Sequence, residues 1–162
     1  MVIISKYRLE KDKKGRYHVR SDENQIACPI CGEILFVIGT RKRRVKDITG
    51  VMLTLIIRRL RCKGECKAIH HELPDMIVPY KRHCVETLEK IVGGEAVYCE
   101  VNTIRRISAW WATCLLYFKS VLASLREKYG TAFSSKPTPR EIVRALVNAH
   151  LWVHTRSVSL PS

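Results

Sequence analysis

The sequence predicts an α+β chain in which a small β module is followed by an all-α region containing one long helix. Three observations support this. Two cysteine pairs bracket strand-like apolar runs in the first half, the apolar period turns helical after Pro79, and clear helix start and stop signals appear only beyond that proline.

Composition sets the frame for these elements. Of 162 residues, 46% are apolar and 27% charged, a globular balance. Lys and Arg outnumber Asp and Glu by 29 to 15, a formal charge of +14, so a polyanionic partner is the first expectation. The excess is present in both halves of the chain. The N-terminal residues have no signal-peptide pattern, and no apolar run approaches the roughly 20 residues of a spanning helix. A cytoplasmic, nucleoid-associated protein with no membrane partner is therefore expected. Seven cysteines without a secretory signal favour metal ligation over a disulfide framework.

Residues 1–25, with Lys11-Asp12-Lys13-Lys14-Gly15 at their centre, read as a polar hairpin or lead-in with few core anchors. Residues 26–78 form the β module. Its strands are the runs Ile34-Leu35-Phe36-Val37-Ile38 and Val51-Met52-Leu53-Thr54-Leu55-Ile56-Ile57, with turn signals at Gly39 and Thr49-Gly50. Pro74 and Pro79 mark its end.

Residues 79–130 are helical. Tyr80, Cys84, Leu88 and Ile91 recur at helical spacing up to Gly93-Gly94, predicting a helix of about three turns. A second helix starts at Asn102 or Thr103, either able to cap it, and runs to Tyr129 before Gly130. Ile104, Ile107, Trp111, Cys114, Phe118, Val121 and Leu125 form its apolar seam. At ~1.5 Å per residue this helix is about 40 Å long, which leaves room along the seam for a second copy of the chain in a homodimer. In residues 131–162, Thr138-Pro139-Arg140-Glu141 is a capping-box start for a last helix reaching about Trp152, with a frayed Ser-rich end beyond.

The chemistry-bearing residues begin with Cys28-Pro29-Ile30-Cys31-Gly32 and Cys62-Lys63-Gly64-Glu65-Cys66. Each pair can converge on one ion, and each carries a glycine suited to a tight turn. Four soft thiolates with no open position suit one structural Zn2+ rather than magnesium or calcium, and give no catalytic role to the ion. His70 and His71 could substitute as ligands, while Cys84 and Cys114 lie on apolar helical faces as core residues. Two strands joined at their base by such a site make a zinc ribbon.

Two basic runs lie inside that module. Arg41-Lys42-Arg43-Arg44-Val45-Lys46 and Arg58-Arg59-Leu60-Arg61 fall before and after its central turn. On a strand, alternate residues share a face, so Lys42, Arg44 and Lys46 would point one way with Arg58 or Arg59 alongside, a stripe suited to phosphates. A second candidate surface is Asn102, Thr103, Arg105 and Arg106 at the start of the long helix. Polar first-turn residues there are what a helix-turn-helix presents to the major groove.

Cys-Pro-x-Cys-Gly, Arg44-Val45-Lys46-Asp47, Arg58-Arg59-Leu60-Arg61-Cys62 and His71-Glu72-Leu73-Pro74 resemble the N-terminal zinc-binding region of insertion-sequence transposases. Pro79-Tyr80-Lys81-Arg82 and Thr103-Ile104-Arg105-Arg106 extend the likeness to a related bacterial domain family of unknown function. The resemblance implies a zinc ribbon and helix-turn-helix that hold double-stranded DNA of a mobile element. It does not extend to a strand-transfer site: no aspartate follows Asp75, and beyond Gly94 the only acids are Glu95, Glu100, Glu127 and Glu141. The expectation is a non-enzymatic, zinc-dependent DNA-binding protein. An RNA- or ribosome-associated ribbon and a protein-interaction adaptor with a helical dimer seam are the alternatives.

Overall fold

The computed structural model describes residues 1–23 and 25–153. In chain order its elements are β1 (Val2–Ile4), β2 (Tyr7–Lys11), β3 (Tyr17–Ser21), β4 (Leu35–Lys46), β5 (Met52–Cys62), β6 (Ile69–Pro74), α1 (Val85–Gly93), α2 (Val101–Tyr129) and α3 (Pro139–Asn148). The six strands make one curled mixed sheet, a half-barrel, and the three helices share its core. This overturns the expected fold class of a small zinc ribbon followed by an all-α, helix-turn-helix-like region.

The physical reason lies in β5, which is longer and more apolar than a ribbon strand needs to be. Antiparallel β4 covers one edge, from Leu35↔Cys62 to Lys46↔Met52. The other edge is divided. Parallel β3 takes Leu55 and Ile56, and antiparallel β6 takes Arg59 to Arg61. Beyond them, β2 pairs with β3 and β1 runs parallel to β6. Two partners on one edge, with a bulge between Val37 and Gly39 in β4, bend the sheet into its curl. Gly39 is thus a bulge within one continuous strand rather than a turn.

Residues that looked too polar to anchor a core supply part of it. Val2, Ile3, Ile4 and Val19 are all buried. The main cluster joins Ile3, Ile4, Val19, Val45, Leu55, Ile57 and Leu73 of the sheet to Leu88 of α1, Trp111, Phe118 and Leu125 of α2, and Leu146 of α3. The α2 seam is therefore covered, from Trp111 to Leu125, by this chain's own sheet and helices. Trp152 closes one side, its ring stacked on Phe118 at 5.7 Å. Asn148, at the end of α3, clasps β1 by accepting from Ile3 N at 2.7 Å and donating to Ile3 O at 3.0 Å.

Helix ends follow the local chemistry in some places and depart from it in others. The Thr138–Glu141 capping box is present, but α3 stops at Asn148, with His150 in the left-handed region, before Trp152. Helix α1 starts only after Cys84, because residues 79–83 are tied to the sheet: Lys46 N donates to Arg82 O and Cys84 N to Lys46 O. Tyr80, read as helical, instead has φ +62°. The N-cap of α2 is Glu100, not Asn102 or Thr103. The expected frayed end lies, from residue 154 on, outside the described residues.

Candidate metal centre and cationic cleft

Both cysteine pairs sit in tight turns at one end of the β4–β5 hairpin. In the first, Cys28 N donates to Glu33 O at 2.7 Å and Gly32 N to Cys28 O at 2.8 Å, a turn that needs Gly32 at φ +78°. In the second, Cys62 ends β5 and its N–H donates to Ala68 O at 2.9 Å. The two turns are joined where Lys63 N donates to Ile34 O at 3.1 Å. Gly64 serves the site through size: a Cβ there would lie 2.7 Å from Glu33 Cγ and 3.3 Å from Cys31 Sγ.

The four sulfurs of Cys28, Cys31, Cys62 and Cys66 all lie within 4.8 Å of one another. Cys31 Sγ is 3.4 Å from both Cys62 and Cys66, and Cys28 Sγ is 3.7 Å from Cys66. Four thiolates at about 2.3 Å from a central ion have edges of about 3.8 Å, so the set is the right size for a tetrahedral metal ion and consistent with structural zinc. Gly64 N also donates to Cys62 Sγ at 3.2 Å. Burial, reinforced by the Cys31 and Cys66 thiols, pushes the Cys62 thiol up to about 12. Without an ion that thiol keeps its proton, and a bound cation would be what allows all four sulfurs to ionise together.

His70 is buried behind this cluster, its Nε2 3.4 Å from Cys28 Sγ. The thiols close the coordination set without it, which leaves His70 as a partner orienting one ligand. His71, on the opposite face of β6, is not in the cluster. Cys84 and Cys114 are core residues as expected. Cys99 lies 3.4 Å from His83 Nδ1.

The basic strands adopt the expected alternation. Lys42, Arg44 and Lys46 face the side of Ile56, Thr54 and Met52, while Arg41 and Arg43 lie beside Ile57 and Leu55 on the other. Arg41, Lys42 and Arg44 are exposed. Arg58 is already committed: its Nε and Nη2 donate to the wholly buried Glu72 carboxylate at 2.6 and 2.5 Å. Arg59 is half-buried between Gly39 and His71, and Arg61 is exposed opposite Phe36. On α2, Asn102, Arg105 and Arg106 are exposed in the first turns, and Thr103 lines a recess with Lys46, His83 and Cys99.

Sequence reasoning missed where the arginines gather. The 79–82 loop folds back against the outer edge of β4, and Arg43 Nη2 donates to Lys81 O at 2.9 Å. Between loop and strand is a cleft of about 460 Å³ lined by Arg41, Lys42, Arg43, Arg44 and Arg82, with Ile57, Leu73 and Tyr80 among its walls and no carboxylate. Burial, with Arg41 adding to it, holds the Arg43 guanidinium below its ordinary pKa. Lys81 turns away over the Trp110 ring at 3.9 Å. The available signal was the basic Lys81-Arg82 pair beside Pro79, which periodicity assigned to a helix.

A domain of unknown function (DUF6431) is found at residues 28–107. No curated protein and no solved structure is detectably similar to the chain. The match begins at the first thiol and ends in the second turn of α2, so it takes in all four cysteines, both basic strands and the 79–82 loop.

Proposed function

We propose that the chain is a non-enzymatic DNA-binding protein whose four-cysteine site holds one zinc ion and whose β4 hairpin seats duplex phosphates. One observation carries this reading: the sorting of charges. Among the described residues the arginines held in ion pairs all lie elsewhere, in Arg8–Asp22, Arg16–Asp12, Arg20–Glu10 and Arg58–Glu72, with Arg140 shared among Asp75, Glu86 and Glu89. Arg41, Lys42, Arg43, Arg44 and Arg82 make no ion pair among the described residues, yet lie together. Unpaired like charges held close repel one another until a polyanion joins them.

The metal acts at a distance. It clamps Leu35 and Cys62 at one end of the hairpin, which fixes the β4–β5 register and so the spacing of the arginines. The resemblance of its motifs to transposase N-terminal regions supports a role with mobile elements, as a regulator or an accessory to transposition.

The test is duplex binding by zinc-loaded protein across a salt series. Each neutralised phosphate adds about 0.9 to the log–log slope, so Arg41→Gln, Lys42→Gln and Arg44→Gln each lower the slope by about one while Arg58→Met/Glu72→Leu, which removes the ion pair whole, leaves it unchanged. Salt-independent binding, or equal effects from Arg58 and Arg44, would overturn the reading. Competition with duplex RNA separates the two nucleic acids.

A further inference from the structure

We propose that the cleft between β4 and the 79–82 loop binds one nucleoside phosphate unit, with its phosphate on Arg41, Arg43, Arg44 and Arg82 and its sugar and base against Tyr80 and Leu73. This goes beyond contact with a duplex backbone and shares with that reading only the unpaired arginines.

Three features argue for a built site rather than a solvated basic face. The cleft is recessed, and its volume of about 460 Å³ falls within the range of about 300–1,000 Å³ usual for small-molecule sites. Its lining combines the basic side chains with Met1 and His71 over an apolar floor where Ile57 and Leu73 of the core reach the cleft, the mixed surface an amphipathic nucleotide requires. Guanidinium forks match phosphate oxygens in pairs. Arg43 is tethered by its Nη2 to Lys81 O, while its buried Nε has no partner.

The backbone adds to this. Lys46 turns its N–H and C=O away from β5, onto Arg82 and Cys84. By the two-residue alternation of an antiparallel strand, the N–H groups of Arg44 and Lys42 point the same way, into the cleft. Tyr80 stands at the rim with φ +62°, a conformation a tyrosine rarely adopts, and its exposed ring is held there by a loop fastened at Lys81 and Arg82. Backbone strain of this kind concentrates at ligand-binding positions. A nucleotide base has a π-face that such a ring can stack on.

The test uses full-length, zinc-loaded protein and titration calorimetry with dTMP, thymidine and inorganic phosphate. Saturable binding of one dTMP per chain is expected, with thymidine at least about tenfold weaker because the charge-assisted bonds are lost. Arg44→Gln/Arg82→Gln should weaken dTMP by about tenfold or more, and Arg61→Gln, exposed but outside the cleft, should not. Tyr80→Gly removes the ring and relieves the backbone; it should weaken dTMP without lowering the melting temperature. If dTMP binds no better than thymidine, if the double variant is silent, or if Arg61→Gln is equally damaging, the proposal fails.

Oligonucleotides identify the source of the phosphate. Preference for a 5′-phosphorylated single strand over its 5′-hydroxyl form assigns the cleft to strand ends. Indifference to that group, with dTMP still bound, assigns it to a free nucleotide. Duplex binding with no dTMP binding removes the cleft proposal alone, and dTMP binding with no duplex binding removes the DNA reading alone.

Discussion

The Arg58–Glu72 pair offers the sharpest test of how the sheet is held. Glu72 has a fully buried side chain on β6 and Arg58 is 26% exposed on β5, and two hydrogen bonds of 2.6 and 2.5 Å join them. In Glu72→Gln the shape is kept, but one acceptor becomes an N–H2 group facing the guanidinium. Two charge-assisted bonds contribute about 1.5–3 kcal/mol each, and breaking a largely buried pair by removing one partner costs about 3–5 kcal/mol. For a chain of this size each kcal/mol moves the midpoint by about 2–4 °C, so thermal unfolding of metal-loaded protein should shift down by about 6–20 °C. Urea unfolding should agree through a lower midpoint at constant slope. The double variant Arg58→Met/Glu72→Leu should recover most of the loss, because a well-packed apolar pair replaces a buried ion pair at little net cost. A loss below about 1 kcal/mol in Glu72→Gln, or no recovery in the double variant, would refute the reasoning.

Removing the metal with a chelator, or one ligand by Cys31→Ser, should free the two cysteine turns and lower the melting temperature. The helical circular dichroism should persist, because the main core contains none of the four cysteines; unchanged stability in metal-free protein would exclude a structural ion. Tyr7 donates to Asp75 at 3.2 Å, and burial followed by the Asp75 charge raises its phenol to about 12. The neutral phenol is thus favoured in the folded state, and its contribution is complete below the ordinary value near 10 and lost as pH rises through about 12. Tyr7→Phe should flatten that alkaline loss in urea unfolding at stepped pH, and an identical pH profile would show the bond to be unimportant. Thr138→Ala breaks the capping box, in which Glu141 N donates to Thr138 Oγ1 at 3.2 Å, and should cost about 1 kcal/mol. Its effect on duplex binding should be nil.

What the sequence determined by itself is local. Cysteine spacing and flanking glycine are enough to define the thiol cluster, because each turn is built from adjacent residues. The capping box of α3 and the Gly130 stop of α2 were legible for the same reason. The alternation of Lys42, Arg44 and Lys46 follows from strand geometry alone.

Tertiary structure decided the rest. Val2, Ile3 and Ile4 form too short a run to read as a core element, yet pairing β1 with β6 buries all three. The parallel contact of β3 with β5 joins residues far apart in sequence and turns an expected two-stranded ribbon into part of a half-barrel. Whether an arginine is matched or left free also depends on non-local contacts: Arg58 meets Glu72 only because β6 lies beside β5, while Arg82 joins Arg41 and Arg44 only because its loop is fastened to the edge of β4. Charge runs can be counted along a chain, but the pairing that neutralises one run and leaves another open is a property of the folded sheet.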